Sequence, residues 1–385
     1  MASTLKSPDS KVPSKEHLDA AANSLNTLTE HQETTQDPHN AATSSRASSY
    51  IRSFFPYSSI EDFENSRHLG NYVIDRRTGS KSFEPMSIYV RLGMHFLYYG
   101  SEQEAALHWK RVQALLKQQS EKMGARYDLP SSKAHIQPFI DSFDLRDSLP
   151  DLLQSDPDKY ATFNQFFARE IKPSARPIAE PNDPLVLSSP ADCRLTVFPT
   201  TDQATKYWIK GYGFTLSKLL NSAPLAHAFE GGSMAIARLA PQDYHRWHAP
   251  TDGRVESIAE IPGAYYTVNP QAVTQAGTLD VFCENRRSVM VMRRGGTGAR
   301  IAVVAVGAML VGSVKYNPGI GPGTDVRRGQ CLGAFYYGGS TVIVLCPPGE
   351  VELDADLVAN STGQCCETLV KVGWRIGKGP AAKKA

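Results

Sequence analysis

The feature that most constrains the fold of this 385-residue chain is a change of rhythm near residue 185. Beyond it, short apolar runs recur between Gly, Pro, Asn and Asp: "RLTVF", "SMAIARL", "GRVESIAEI", "AYYTVN", "SVMVMR", "IAVVAVGAMLVGSV", "STVIVL" and "ETLVKVGW". Runs of this length, rich in β-branched residues and closed by turn formers, read as strands, and their spacing predicts a barrel or sandwich. Before it the period is helical. In "FEPMSIYVRLGMHFLYYG", Ile88, Leu92, Phe96 and Tyr99 share one face; after Gly100, Ala106, Trp109, Val112, Leu115 and Leu116 share another. "KAHIQPFIDSFDL" fits a third helical piece. The expected class is α+β, a helical N-terminal portion packed on a β-rich C-terminal domain. The expected boundaries are a disordered polar tail over 1–48, the helical portion over 49–180, the β-rich domain over 181–378 and a short tail over 379–385.

Charge and composition remove several functions. The 41 basic and 39 acidic side chains leave a formal charge of only +2, so bulk charge gives no argument for nucleic acid. No run reaches the roughly eighteen apolar residues of a membrane span. The opening "MASTLKSPDSKVPSKEHLDAAANSLNTLTE" is too polar for a secretory signal and too acidic for a mitochondrial presequence. These readings predict a chain that is cytoplasmic or peripheral on internal membranes. Its six cysteines form no C-x-x-C, which argues against a zinc frame and for reduced thiols. Cys365 and Cys366 would be strained as a mutual disulfide and read as packing residues.

Three places in the β-rich half carry chemistry. "FYYGGSTVIVL" breaks a strand pattern with Gly338-Gly339 and follows at once with Ser340. Glycines inside such a run mark a bulge, a bend or a close backbone approach. "LSSPADCRLTVF" sets Asp192 in a turn before a strand, and "ARLAPQDYHRWHAPTDGRV" sets His245 and His248 three residues apart. A serine hydroxyl is a poor nucleophile until a base takes its proton, and a carboxylate that fixes the base's tautomer helps. Each residue also has a plainer reading. Asp192 suits an Asx turn, Ser340 a turn serine, and the histidine pair a surface loop or half a metal site. No H-E-x-x-H or P-C-x-x-C supplies further zinc ligands, and the glycine that a hydrolase elbow needs after Ser340 is missing.

Taken together and in order, "PADCRLTVF", "LAPQDYHRWHAPTDG", "VGAMLVGSV" and "RRGQCLGAFYYGGSTVIVL" resemble the phosphatidylserine decarboxylase family. The likeness runs from "FNQFFAREIKPSARPI" to "VGWRIG" and is strongest to eukaryotic members, although the first part leaves no room for the calcium-binding C2 domain that many of those carry. The resemblance implies that the chain cuts itself between Gly339 and Ser340. Ser340 would become a pyruvoyl group at the head of the small chain, with no metal and no added cofactor. It further implies that His248 activates Ser340, that Asp192 orients His248, and that His245 serves the decarboxylation step. Asp243 would support the loop without a catalytic part. One departure is Cys193, which stands where bacterial members carry Gly after "PAD".

The implied substrate is phosphatidylserine in membranes, converted to phosphatidylethanolamine and carbon dioxide in phospholipid biosynthesis. The stretch from Met86 to Tyr99 is the candidate for membrane contact, although core packing is the commoner fate of such a stripe. "AYYTVNP" resembles a family stretch near the substrate, and the resemblance implies Thr267 and Asn269 as candidates for the substrate pocket, with turn and strand structure as the plainer reading. Two alternatives stay open: the same chemistry on a free, even aromatic, amino acid, and an uncleaved binding protein that keeps the scaffold. The partners expected are the chain's own cleaved halves and a lipid, with no nucleic acid; a homo-oligomer is compatible with the sequence.

Overall fold

A computed structural model describes residues 70–85, 120–209, 213–266, 280–308, 313–336 and 340–379, with isolated positions 114, 117, 118 and 268. The polar tail, both apolar faces between Ile88 and Leu116, and Thr267, Asn269, Gly338 and Gly339 lie outside the described residues.

The strands, in chain order, begin with β1 (Gly70–Asp75), β2 (Lys81–Pro85), β3 (Val186–Ser188), β4 (Cys193–Phe198), β5 (Ser233–Leu239), β6 (Arg246–His248), β7 (Gly253–Ile261) and β8 (Arg287–Arg294). They continue with β9 (Arg300–Gly307), β10 (Ser313–Tyr316), β11 (Asp325–Val326), β12 (Cys331–Tyr336), β13 (Ser340–Cys346), β14 (Glu352–Leu353), β15 (Glu367–Val370) and β16 (Arg375–Lys378). Ten of them form one open sheet in the order β11-β7-β8-β9-β13-β5-β4-β15-β1-β2. Two three-stranded sheets, β10-β12-β6 and β14-β16-β3, accompany it. Pairing is antiparallel apart from β1 with β15. The architecture is α+β and a sandwich; no barrel closes among the described residues.

The large sheet is covered on both faces, which is why β13 reads as an unbroken apolar run and not as an alternation. Val342, Val344 and Cys346 face a cluster that includes Trp247, Leu332 and Phe335 from the small sheet. Ile343 and Leu345 face the other cluster, with Phe139, Phe163, Phe166, Phe167 and Phe229 from the helical layer. All seven β13 residues are buried, and each large aliphatic side chain among them stabilises by about 1.5–3 kcal/mol. The helical layer includes Ile136–Ser142, within the third helical piece expected from sequence, and Phe163–Phe167, whose start is capped by Thr162 accepting from the Gln165 amide.

The double glycine now has a structural context. β12 ends at Tyr336 in a small sheet, paired with β6 and β10; β13 begins at Ser340 in the large one, between β5 and β9. The chain changes sheets between those residues. Ser340 therefore stands at the end of the large sheet, opposite Leu239, the last residue of β5, and Gly307, the last of β9.

Candidate active site

Leaving β5 at Leu239, the backbone makes a tight turn before β6. Asp243 closes it: its carboxylate accepts from the Ala240 amide at 2.8 Å and from the Arg194 guanidinium. Arg194 also grips the Glu84 carboxylate, with Nε donating to both oxygens at 2.9 and 3.1 Å. The turn delivers His245 to the end of the sheet where Ser340 lies, and Ser340 Oγ is 3.3 Å from His245 Nδ1. Both residues are fully buried.

The tautomer of His245 follows from its partners. Nε2 faces the carbonyls of Ala240 and Pro241 at 2.9 and 3.2 Å, and a carbonyl can only accept, so Nε2 carries the hydrogen. Nδ1 is thus the free lone pair, directed at the serine hydroxyl. The ring stacks on Phe167 with centroids 3.9 Å apart and planes 26° from parallel. Burial, aided by the positive charge of Arg169, lowers the imidazole's pKa to about 3. At neutral pH His245 is an uncharged acceptor.

His248 sits in a second arrangement. Its Nδ1 donates to the Gly329 carbonyl at 2.7 Å, which leaves Nε2 as the acceptor, 3.3 Å from the Tyr244 hydroxyl. Burial lowers its pKa to about 4, against the opposing pull of the Asp192 charge. The His248 amide donates to the Pro190 carbonyl at 2.7 Å, tying β6 to the segment that bears Asp192. Asp192 itself is taken up by cations. Arg176 donates to both of its oxygens at 2.7–3.1 Å, Lys371 approaches at 3.4 Å and the Val372 amide donates at 2.9 Å. Burial alone would raise this carboxyl; Lys371 and Arg176 outweigh it and hold it below the usual carboxylate range.

The structure thus brings His245, not His248, to Ser340, and brings Asp192 to Arg176. Among the described residues no hydrogen bond joins Asp192 to either histidine or His248 to Ser340. Cys193, at the departure from the bacterial pattern, begins β4 with its thiol buried 3.8 Å from Ser189 Oγ, and burial pushes that thiol up. No group of three or more metal-ligating side chains gathers among the described residues, and no helix there is long and apolar enough to cross a membrane.

The model of the family described as phosphatidylserine decarboxylase matches residues 163–378, more than half of the chain. That span holds the capped helix, Asp192, both histidines and Ser340. The chain belongs to the phosphatidylserine decarboxylase family. It is 43% identical over 306 residues to phosphatidylserine decarboxylase proenzyme 3 of Schizosaccharomyces pombe, covering 80% of this chain and 31% of that one. Against proenzyme 2 of Oryza sativa it is 41% identical over 306 residues, 79% of this chain and 48% of the relative. The phosphatidylserine decarboxylase proenzyme of Fusobacterium nucleatum is 32% identical over 306 residues, 79% of this chain and 96% of that protein. The chain spans less than half the length of the two eukaryotic relatives.

Several site residues escape sequence reasoning. Arg176, Phe167 and Tyr244 lie inside the recognised motifs "FNQFFAREIKPSARPI" and "LAPQDYHRWHAPTDG", so membership in a motif was a signal. Gly329 lies in "RRGQCLGAFYYGGSTVIVL" in the same way, whereas Lys371 carried no such signal, because its contact with Asp192 closes only when distant strands assemble.

Proposed function

We propose that this protein is a self-processing, pyruvoyl-dependent decarboxylase acting on phosphatidylserine to give phosphatidylethanolamine and carbon dioxide. The observation that carries the reading is a buried hydroxyl, Ser340 Oγ, 3.3 Å from the free lone pair of a neutral imidazole, His245 Nδ1. In the first step His245 takes the Ser340 proton, and Oγ attacks the carbonyl carbon of Gly339, exchanging the amide for an ester. Loss of the Ser340 Cα proton then expels the Gly339 carboxylate by β-elimination. The dehydroalanine left at 340 takes up water and releases ammonia, which leaves a pyruvoyl terminus. General-base assistance of this kind contributes about a hundred- to ten-thousand-fold.

The residues present fit such a group. β13 is hydrogen-bonded on both sides, to β5 and β9, so residue 340 remains anchored when the bond before it is cut. A pyruvoyl group there would supply a ketone that joins the substrate's amine and takes up the electrons released as carbon dioxide leaves. His245, with Nε2–H tied down and Nδ1 open, would take up a proton that the substrate's amine sheds as it joins the ketone and hand it on to the substrate carbon. No metal enters this account.

A second reading gives the base's task to His248, with Asp192 behind it. It is favoured by the open Nε2 of His248 and by the Asp192 charge, which acts on that ring. The substrate lies in a bilayer, so we place the protein in the cytoplasm or on the surface of internal membranes. The exposed, edge-on pair Tyr72 and Phe83, with Lys81 over the Tyr72 ring, offers an apolar and basic contact, and β2 leads directly into residues 86–99. Carbon dioxide release from phosphatidylserine liposomes, measured beside free tryptophan, serine and lysine, tests the substrate. Release from liposomes alone supports the proposal, and release only from a free amino acid replaces it. Ser340→Ala tests the cutting: the account requires a single uncut chain, and efficient processing of that variant rejects it.

A further inference from the structure

We propose that Arg169 is the positioning residue of His245, gripping the turn between β5 and β6 so that Nδ1, and not Nε2, is the nitrogen offered to Ser340. The inference rests on the reading of Ser340 and His245 as the reacting pair. Arg169 follows the helix Phe163–Phe167, and its Nη2 donates to the carbonyls of Gln242 and Asp243 at 3.0 and 3.1 Å. His245 Nε2 donates to the two preceding carbonyls, Ala240 and Pro241. Four successive carbonyls of one turn are therefore divided between a guanidinium and the imidazole. The same short segment supplies Phe167, the stacking partner of His245, and Phe166, whose ring lies 5.2 Å from the Arg169 guanidinium carbon. One segment thus fixes the ring's plane through Phe167 and the carbonyls that fix its tautomer through Arg169.

Stability alone gives a poor reason for this arginine. It is buried, no carboxylate pairs with it among the described residues, and Nη1 has no hydrogen-bond partner. A buried cation so weakly compensated costs stability. Burial accordingly lowers its pKa, and its charge in turn disfavours a proton on His245. The other groups facing the imidazole are accounted for. Arg194 on β4 adds positive charge but is matched by Glu84 and Asp243, the Asp243 carboxylate is occupied by Arg194, and Ser340 on β13 is neutral. Tyr244 turns its hydroxyl to His248.

The test uses the full chain carrying Ser340→Ala, which stays uncut, with its histidines labelled with nitrogen-15 and followed by NMR. In this parent, His245 should be a single neutral tautomer with the hydrogen on Nε2 down to about pH 5. Arg169→Gln should give a mixture of tautomers and raise the titration midpoint by about one pH unit or more. Arg169→Lys keeps the charge and loses the two-carbonyl grip, so it should leave the midpoint near the parent's but mix the tautomers. A folded Arg169→Gln variant with unchanged tautomer and midpoint overturns the proposal. If that variant does not fold, a single preserved tautomer in Arg169→Lys overturns it instead. In the chain that keeps Ser340, Arg169→Gln should slow self-cleavage by about tenfold or more and move its acid limb to higher pH. A wild-type chain that never cuts would refute the cleavage reading, while the NMR outcome would still decide the part played by Arg169.

Discussion

Ser340 and His245 are 95 residues apart in the chain and meet because β5 and β13 are paired neighbours that bring Leu239 opposite Ser340. That contact separates the two histidines experimentally. If His245 is the base, His245→Ala leaves mostly precursor, with cleavage slowed about a hundredfold or more. His248→Ala should then mature within about tenfold of wild type in a time course on denaturing gels. The opposite ranking hands the task to His248. A second residue-scale outcome concerns thiols. Cys365 is exposed, whereas Cys193 and Cys346 are buried, the latter with its pKa raised to about 12 by burial. A maleimide should label Cys365 rapidly in the native protein and reach Cys193 and Cys346 only after unfolding. Rapid native labelling of Cys193 would contradict the packing of β4. The sequence allowed Asp192, His245, His248 and Ser340 to be picked out as reactive types in ordered motifs. It did not reveal which polar group each one meets, because an Asp carries no mark of whether Arg176 or a histidine will satisfy it.

Among the elements, the strands were the most legible. "SMAIARL" and "GRVESIAEI" coincide with β5 and β7, because apolar runs closed by Gly, Pro and Asp leave little choice. The hairpin of β1 and β2 was missed: "GNYVIDRRTGSKSFEP" is polar and short, and its place in the sheet is made by β15, nearly 300 residues later. The change of sheets after Tyr336 was legible only as a weak spot in a strand pattern. Its mechanical consequence is testable at Gly333 on β12, where an added Cβ would overlap the Lys315 carbonyl and the Trp247 ring. Trp247 lies between β12 and the large sheet and is flanked in β6 by His248. Gly333→Ala should therefore destabilise the fold by about 1–3 kcal/mol in urea unfolding and slow maturation; unchanged stability would contradict the close packing of β6 on β12. At the β2 edge of the large sheet, Tyr72→Ser with Phe83→Ser should weaken sedimentation with anionic liposomes without changing the rate of self-cleavage. Full retention of liposome binding would remove the hairpin from the membrane contact.

At the scale of the whole molecule, the sandwich encloses both histidines in their uncharged forms, and this makes the fold sensitive to acid. Their folded pKa values, about 3 and about 4, lie below the ordinary 6.5. Between those limits the unfolded chain binds more protons than the folded one, so stability is full above about pH 6.5 and falls as the pH drops toward 4. Each histidine contributes a loss of about 1.4 kcal/mol per pH unit within its window. The depressed carboxyl of Asp192 acts in the same sense at still lower pH. The thermal midpoint of the uncut Ser340→Ala chain should therefore fall from pH 7 to pH 5, and a flat profile would contradict the burial of neutral imidazoles. The class of the fold was legible from the helical and strand rhythms, whereas the choice of an open sandwich over a barrel was not, since it depends on long-range pairing such as β1 with β15. The central claim is that the protein cuts itself before residue 340 and works through the ketone left there. Intact-mass spectrometry of material that releases carbon dioxide from phosphatidylserine liposomes tests it most directly. The account predicts two chains, 1–339 and 340–385, the second with a carbonyl terminus that borohydride reduces with loss of activity. A single unbroken active polypeptide would contradict it.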